Sequence, residues 1–443
     1  MIELLKKYIK DKNVLILGFG REGRSTLKKL YEAGGYRSVA VADKNPVSDI
    51  EDDSVRLICG DDYQSSLDDF DIVIKSPGVV LDKPFSSYKC RITSQTEIFI
   101  ERYAKSIIGI TGTKGKSTTT TLIYHILSEC GVDCVLAGNI GIPSFDVADK
   151  LNASTLVVYE LSCHQLENIR FSPHFAVFLN LFEEHLDHYG TFENYANAKR
   201  NIYRYQSEND YLICSSDLTS YETIRSHVLS ASMTDPSADI TANDKSITFP
   251  GQTIEMENVS TCLVGSHNNY NLAVAFAVCS KYGIKTEDMI RAAGTYKSLP
   301  HRLEFVAEIN GVKYYDDSIS TMCQSTIQAV RSLKNVDTVI IGGMDRGIDY
   351  TELIDYLFNN PVNNIILMSD SGKRILSEIN EKYKGSQLEE HTVYCSTLKS
   401  AVDKAKQLTA PSKTCVMSPA AASYNEYKNF EQRGDYFKSY VLN

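Results

Sequence analysis

The sequence has no long hydrophobic run, no run of basic residues and no CxxC pair of cysteines, and each absence excludes a class of protein. No apolar stretch could span a bilayer and the first residues lack a signal-peptide core, so we expect a cytoplasmic protein without membrane partners. The net charge is −10 without a cluster of Lys and Arg, which argues against nucleic-acid binding. The 11 cysteines are scattered without a CxxC pair, which is typical of reduced thiols rather than of a disulfide framework or a zinc site.

What is present is the composition of a globular protein. The chain has 443 residues, of which 43% are hydrophobic and 23% charged, and it contains no internal repeat. This composition excludes disordered and collagen-like proteins, and the length predicts about three domains. We expect the protein to be a monomer.

Short apolar runs alternate with helical patterns in three successive blocks. Buried strands separated by helices favour mainly parallel sheets covered on both faces, so we predict three α/β domains at residues 1–95, 96–297 and 298–443. The stretch 215–260 is polar and predicts loops and small strands. Strands are predicted at 14–17, 39–42, 57–58, 72–74, 107–110, 134–136, 156–159, 175–179, 211–214, 312–315, 338–341, 365–368 and 414–417. Helices are predicted at 21–33, 268–282, 373–384 and 398–408.

A glycine-rich turn between an apolar strand and a helix is the strongest functional motif. Gly112 and Gly115 let the backbone curl so that successive N–H groups face an anion, and the positive end of the following helix adds to that field. Lys116 would then reach the outer phosphates of a nucleotide, and Ser117 or Thr118 would contact Mg²⁺.

Two further observations bear on this phosphate loop. Its spacing departs from the standard motif, because Ile110 stands where the first glycine is expected. An acidic residue, Glu160, follows the apolar run 156–159 and could hold the metal ion of the nucleotide, although a solvated strand end would give the same pattern.

A second glycine motif lies near the N-terminus. Gly18, Gly20 and Gly23 fit the GxGxxG pattern between a strand and a helix, and Asp43 ends the next predicted strand. The motif indicates a nucleotide or dinucleotide at a helix N-terminus, with NAD or a UDP-type diphosphate as alternatives. A tight turn needed only for packing remains open as well.

Further motifs give the chain a resemblance to a known family. Together with the phosphate loop they resemble the Mur ligases, and among these the members that add D-glutamate to UDP-N-acetylmuramoyl-L-alanine. The matching segments run in order from Gly18 to Asp435 and so cover nearly the whole chain. They are 111–120, 136–141, 160–166, 184–190, 195–199, 267–271, 299–304, 418–423 and 429–435.

The resemblance implies a fold and a reaction. A Rossmann-like domain would bind the UDP substrate, a central P-loop ATPase domain would bind ATP, and a Rossmann-like C-terminal domain would bind ATP and the amino acid and close over the site. ATP would phosphorylate the alanyl carboxylate of UDP-N-acetylmuramoyl-L-alanine. The amine of glutamate would attack this acyl phosphate, and a tetrahedral intermediate would expel phosphate. The implied cofactors are ATP and two Mg²⁺ ions, and the implied process is cytoplasmic synthesis of peptidoglycan precursors.

The resemblance also implies roles for individual residues of the central domain. Lys199 corresponds to a lysine that family members carbamylate, which turns a cation into a carboxylate-like metal ligand. The implied catalytic residues are Lys116, Glu160, His185 and Lys199, and the implied metal ligands are Ser117, Glu160, His185 and carbamylated Lys199. The implied ATP-binding residues are Gly112, Thr113, Lys114, Gly115, Lys116, Ser117, Thr118, Asn268, Asn271, Arg302 and Asp317.

Two further sets of residues would bind the two substrates that the reaction joins. The residues implied for the UDP substrate are Gly18, Phe19, Gly20, Arg21, Asp43, Ser76, Gly78 and Asn139. Those implied for the amino acid, which needs cations and hydroxyls for its carboxylates, are Thr321, Arg346, Ser423 and Phe430.

The sequence departs from the family where the amino acid is chosen. Ile319 stands where a lysine is usual, and Arg346 where lysine is frequent, and arginine and lysine bind carboxylates differently. The same chemistry with L-glutamate or another amino acid is therefore an alternative. A folylpolyglutamate synthase-like ligase is another, although there the phosphate loop lies close to the N-terminus. A nicotinamide dehydrogenase would leave four residues without a role: Lys116, Glu160, His185 and Lys199. A silent nucleotide-binding regulator would be expected to have lost a residue of the phosphate loop or of the metal sites, and these residues are all present.

Overall fold

A five-stranded, fully parallel sheet lies in the N-terminal part of the chain. The structure is a computed structural model, and it describes residues 1–218 and 224–443. The strand order of this first sheet is β3-β2-β1-β4-β5. The strands are β1 Asn13–Leu17, β2 Ser38–Asp43, β3 Arg56–Cys59, β4 Ile72–Lys75 and β5 Arg91–Thr93. The helices are α1 Ile2–Ile9, α2 Arg21–Ala33 and α3 Gln95–Tyr103.

A nine-stranded sheet follows, in the order β14-β13-β12-β11-β10-β9-β6-β8-β7. Its pairs are parallel except β12 with β13 and β13 with β14, which form an antiparallel margin. The strands are β6 Ile107–Thr111, β7 Cys134–Gly138, β8 Leu156–Glu160, β9 Phe175–Phe178, β10 Tyr211–Ser215, β11 His227–Ser232, β12 Ile240–Ala242, β13 Ser246–Phe249 and β14 Gln252–Glu255. The helices are α4 Lys116–Glu129, α5 Ser144–Val147, α6 Cys163–Leu166, α7 Leu186–Tyr189, α8 Phe192–Arg204, α9 Ser266–Lys281 and α10 Thr286–Thr295.

The C-terminal part contains a six-stranded sheet in the order β15-β16-β20-β17-β18-β19. Only the pair β15 and β16 is antiparallel within this sheet as described. The strands are β15 Glu304–Ile309, β16 Val312–Asp316, β17 Val336–Gly342, β18 Asn364–Met368, β19 Thr392–Cys395 and β20 Thr414–Met417. The helices are α11 Cys323–Ser332, α12 Thr351–Asn359, α13 Ser369–Lys382, α14 Gln387–Glu390, α15 Leu398–Leu408 and α16 Phe430–Leu442.

The chain divides into two compact units. The first consists of Met1–Ser260 and His267–Thr295 and holds the first two sheets, and the second consists of Thr261–Ser266 and Tyr296–Asn443 and holds the third. In the first unit one hydrophobic core runs through both sheets, and the ring of Phe99 on α3 meets that of Tyr159 on β8 edge-on at 5.6 Å. Strands β1, β6 and β9 are buried nearly throughout because helices cover both faces of parallel sheets.

The predicted α/β architecture with mostly parallel sheets is confirmed. The predicted strands are all present, and the helices predicted at 21–33 and 398–408 match α2 and α15 at both ends. Other ends shift by a few residues: α9 begins at Ser266, α13 spans Ser369–Lys382 and β9 ends at Phe178. The stretch 215–260 contains the short strands β11–β14, and its residues 219–223 lie outside the described part of the chain.

None of the helices in the described part of the chain is long and apolar enough to traverse a membrane.

Candidate active site

The phosphate loop connects β6 with α4 through two glycines in unusual backbone conformations. Gly112 has φ +155° and Gly115 has φ +81°, values that side-chain-bearing residues rarely adopt. Helix α4 then runs for 14 residues from Lys116, and no side chain of the described residues caps its N-terminus. The positive end of α4 thus begins directly after the loop, which suits a bound phosphate.

Asn180, which sequence reasoning missed, fixes the shape of this loop. Its side-chain oxygen accepts hydrogen bonds from the backbone N–H of Thr113 at 3.1 Å and of Lys114 at 2.8 Å. Its Nδ2 donates to the Lys114 carbonyl at 3.0 Å. Asn180 follows β9, the neighbour of β6 in the sheet, so the contact comes from sheet order and gives no local sequence signal.

Two lysines converge on the carbonyl oxygen of Gly112. Nζ of Lys116 donates to it at 2.9 Å, and Nζ of Lys199 on α8 donates to it at 2.7 Å. Lys199 is only 1% exposed. Its burial, with the neighbouring Lys116 as a second cause, lowers the pKa of Lys199 to about 7. This shift favours the unprotonated amine, which is required for a reaction with CO₂.

Glu160 ends β8 beside the loop and is fully buried. One carboxylate oxygen, Oε1, accepts a hydrogen bond from Nδ2 of Asn139 at 2.7 Å. The other, Oε2, is buried and has no hydrogen-bond partner among the described residues. Because an unsatisfied buried carboxylate oxygen is costly, this atom is best explained as the ligand of a cation. The structure thus places Asn139 at Glu160.

Asn268 and Asn271 reach the phosphate loop from α9. The side-chain oxygen of Asn271 accepts from the Thr119 hydroxyl at 3.2 Å, and its Nδ2 donates to Asn268 at 3.0 Å. A Cβ built on Gly115 would lie 2.7 Å from Oδ1 of Asn271. Both asparagines are nearly or fully buried, so they support the loop from behind.

His185 precedes α7 in a left-handed conformation, with φ 56° and ψ 34°. Such a backbone is uncommon for a residue with a side chain and is often found at functional sites. The ring centroid of His185 lies 5.1 Å from that of His164 on α6. Partial burial, followed by the neighbouring His164, lowers the pKa of His185 and so favours the neutral imidazole that ligates metals.

The N-terminal glycine turn is held by its own sheet. The Ser76 hydroxyl donates to the Gly18 carbonyl at 2.7 Å, and a Cβ on Gly18 would lie 2.9 Å from that of Ser76. The backbone N–H of Phe19 donates to Asp43 at 2.7 Å. One loop amide is therefore already bound by a carboxylate, which favours a structural role for Asp43. The remaining predicted residues of this turn are exposed: Gly20, Arg21 and Gly78.

In the second unit, the two residues predicted to contact ATP have different environments. Asp317 is buried and accepts hydrogen bonds from the Ser320 hydroxyl at 2.6 Å, the Ser418 hydroxyl at 2.7 Å and the Leu303 N–H at 3.2 Å. Burial raises the pKa of Asp317 to about 6 in spite of these bonds. Nε of Arg302 is buried without a hydrogen-bond partner among the described residues, which suits a ligand-binding side chain.

The residues predicted to bind the amino acid differ in burial and in their contacts. The carbonyl oxygen of Phe430, at the start of α16, accepts from the Ser318 hydroxyl at 2.8 Å. Arg433, missed by the sequence reasoning, is fully buried and donates to the Ser318 carbonyl at 2.8 Å. The other predicted residues of this set are the buried Ser423, the half-buried Thr321 and the exposed Arg346.

Chemically, the first unit gathers its candidate residues at one edge of the nine-stranded sheet. β6 and β8 are parallel neighbours, so the loop after β6 and Glu160 at the end of β8 lie side by side. A buried carboxylate, two amines and a helix N-terminus there can bind a nucleotide triphosphate with its cation. Contacts link the loop residues to Lys116, Lys199 and Asn271, and Glu160 to Asn139.

Comparisons with known proteins agree with this arrangement. Residues 110–279 match the model of the Mur ligase middle domain, and residues 301–421 match that of the Mur ligase, glutamate ligase domain. The UDP-N-acetylmuramoylalanine–D-glutamate ligase of Geobacillus kaustophilus (strain HTA426) is 33% identical over 449 residues, covering 97% of both chains. The enzyme of that name from Clostridium botulinum (strain Langeland) is 32% identical over 451 residues, covering 98% of both chains.

Solved structures share the fold. The MurF ligase of Thermotoga maritima in complex with ADP aligns with a TM-score of 0.60 at 16% identity, covering 99% of this chain and 96% of that one. The UDP-N-acetylmuramate–alanine ligase MurC of Thermotoga maritima aligns with a TM-score of 0.60 at 18% identity, covering 97% and 99%. The two family models and the curated relatives show that the protein is an ATP-dependent, amide-bond-forming ligase. More narrowly, the chain belongs to the Mur ligase family.

The fit between Gly115 and Asn271 can be tested with a pair of glycine substitutions. Gly131→Ala is the control, because its φ of +78° resembles the +81° of Gly115 while nothing lies within 4 Å of an added Cβ. Backbone strain costs about 1–2 kcal/mol in either variant. We expect Gly115→Ala to lose more stability than Gly131→Ala, and it alone to weaken ATP binding, as measured by chemical denaturation and calorimetry. Equal losses in the two variants would contradict the predicted clash.

The unsatisfied oxygen of Glu160 predicts a loss of cation binding in Glu160→Gln. We expect Mg²⁺ with ATP to raise the melting temperature of the wild type but to add little to that of Glu160→Gln, and we expect turnover to fall about 10²- to 10³-fold. Glu97→Gln is the control, since Glu97 is an equally buried carboxylate that accepts from Arg170 at 2.8 Å. An undiminished Mg²⁺ effect in Glu160→Gln would refute the assignment.

Proposed function

We propose that the protein adds D-glutamate to UDP-N-acetylmuramoyl-L-alanine in cytoplasmic peptidoglycan precursor synthesis. The observation that carries the substrate assignment is the likeness to two curated D-glutamate ligases, at 32–33% identity over 97–98% of the chain. The ATP-dependent part rests on the geometry of the first unit.

ATP binding is assigned to the phosphate loop and its supports. The N-terminus of α4 faces the phosphates, and Lys116, now folded onto the carbonyls of Gly112 and Thr113 at 2.9 Å each, would turn to the outer phosphates. Asn268 and Asn271 hold the loop in shape. In the second unit, Arg302 would contribute its guanidinium, whereas the carboxylate of Asp317 already holds three protein donors.

Two Mg²⁺ ions fit the residues of the first unit. Glu160, with its unsatisfied Oε2, and the hydroxyl of Ser117 would hold one ion. His185 and Lys199 as its carbamate would hold the other, because carbamylation converts a buried amine into oxygen ligands. When bound, these ions neutralise the charges of the phosphates and of the attacking carboxylate.

The chain's own groups would serve the reaction by charge and position. Carboxylate attack on a phosphoryl group brings negative charges together, so Lys116 would stabilise the charge that develops on the transferred phosphoryl group. The resulting acyl phosphate has to be kept from water until the amine of glutamate attacks it. We further propose that the three sheets correspond to three functional domains, with the UDP substrate at the turn after β1.

The amino acid would be bound by the second unit, by Ser423, Phe430, Thr321 and Arg346. The presence of Ile319 favours a second candidate function, which is the same ligase reaction with L-glutamate or another amino acid. The backbone N–H of Ile319 donates to the His301 carbonyl at 3.1 Å, but its side chain cannot replace the positive charge of the lysine usual at this position. The exposed Arg346 would supply a bidentate carboxylate contact instead.

The proposed substrates predict a specific pattern of phosphate release. We expect ATP turnover only when UDP-N-acetylmuramoyl-L-alanine and D-glutamate are both present, as measured by phosphate release and mass spectrometry of the product. L-Glutamate and other amino acids run in parallel as controls. Faster turnover with L-glutamate would replace the D-glutamate assignment by the second candidate. Turnover without any amino acid, or none with any of them, would contradict the ligase proposal for these substrates.

The buried amine of Lys199 predicts a carbamate. We expect ¹³C-labelled bicarbonate to give a carbamate resonance in the NMR spectrum of the wild type near neutral pH, and we expect Lys199→Arg to lose it together with activity. Lys75→Arg is the control, because Lys75 is also buried but donates to the Val79 carbonyl at 2.7 Å away from the loop. A resonance that persists in Lys199→Arg would show that the modified group lies elsewhere.

A further inference from the structure

A cysteine and two histidines that lie beside the proposed Mg²⁺ ligands form a cluster of a different chemical kind. One ligand atom from each of Cys163, His164 and His185 lies within 4.8 Å of the other two. Cys163 and His164 have no part in the function proposed above. Sulfur and imidazole nitrogen are donors that Zn²⁺ and similar ions prefer, whereas Mg²⁺ prefers oxygen.

We propose that Cys163, His164 and His185 bind a thiophilic divalent ion of the Zn²⁺ class. Around a tetrahedral Zn²⁺ with bonds of about 2.0–2.3 Å, neighbouring ligand atoms lie about 3.3–3.8 Å apart. The ligand atoms, which lie within 4.8 Å of one another, would have to approach by about 1.5 Å at most, within the reach of side-chain rotation. The fourth position would be taken by water, because His185 is exposed at the outer side of the cluster.

The surroundings of the cluster hold it in place. Cys163 and His164 open α6, whose start is fixed by a capping box between Ser162 and Gln165. The Tyr189 hydroxyl contacts Nδ1 of His164 at 3.3 Å, and Tyr189 packs with Cys163 in one buried cluster. The rings of His164 and Tyr189 are stacked at 5.6 Å. Oriented neighbours of this kind are typical of metal-ligating residues.

Occupation of this site would affect the ligase, a consequence that rests on the proposed function. His185 is assigned there to Mg²⁺, and it cannot serve both ions at once in the same geometry. A thiophilic ion would therefore compete for His185 and inhibit turnover. The site would make the enzyme sensitive to an excess of such ions.

The test uses the full-length protein freed of metals and titrated with Co²⁺, whose thiolate complexes absorb light by ligand-to-metal charge transfer. We expect one equivalent of Co²⁺ to give this band in the wild type and Cys163→Ser to lose it. His164→Asn should weaken Co²⁺ binding at least about tenfold, since one ligand is missing. Cys59→Ser is the control, because Cys59 is an exposed thiol on β3 outside the cluster.

The outcomes separate this inference from the proposed function. No band in the wild type, or the same band in Cys163→Ser, would overturn the site. Both variants should keep the wild-type circular dichroism spectrum without metal, so that loss of the band cannot be assigned to unfolding. With ligase substrates, Zn²⁺ should inhibit the wild type more than Cys163→Ser, and equal inhibition would overturn the competition for His185. A Cys163-dependent band in a protein without ligase turnover would support the site and contradict only the proposed function.

Discussion

The carbonyl oxygen of Gly112 accepts hydrogen bonds from two lysine amines, and this crowding of like charges governs the rest of the candidate site. Lys116 and Lys199 lie at 2.9 and 2.7 Å from the same oxygen. Burial of Lys199, with the charge of Lys116 as a second cause, disfavours the protonated amine and lowers the pKa of Lys199 to about 7. Beside the proposed phosphate loop, the amine of Lys199 is thus suited to carbamylation, which would replace its positive charge by a negative one.

Glu160 is the complementary part of this arrangement. Its carboxylate is buried next to the loop with one oxygen bound to Asn139 and the other without a described partner. A buried carboxylate and an unpaired oxygen both cost free energy. In the proposed function a bound cation would offset this cost, which would link the stability of this edge of the sheet to ligand binding. The unsatisfied Nε of Arg302 in the second unit follows the same principle.

Much of the fold could be predicted from the sequence, because buried parallel strands are continuous apolar runs with helical patterns between them. The phosphate loop could be predicted as well, since glycines, lysine and the helix start are local in the chain. The contacts of Asn180 with the loop and of Arg433 with Ser318 could not, because they join residues far apart in sequence through sheet order and helix packing. Lys199 and His185 were identified only by resemblance: a lysine on an amphipathic helix carries no local signal. For Asp43 a ligand contact stays a prediction, and the structure adds that its carboxylate accepts from the backbone N–H groups of Phe19 and Asn45.

The cysteine–histidine cluster shows why spacing rules miss some metal sites. Such rules detect ligands that come in close pairs along the chain. Cys163 and His164 lie on α6, whereas His185 follows only after β9. The cluster is compatible with Mg²⁺ chemistry beside it, because a thiol is a poor ligand for Mg²⁺ and leaves the oxygen donors to that ion. Selectivity therefore depends on the donors that accompany His185: the oxygens of a Lys199 carbamate for Mg²⁺, and the sulfur of Cys163 with the imidazole of His164 for the thiophilic ion. His185, held in a left-handed backbone conformation, is the ligand for which the two ions would compete.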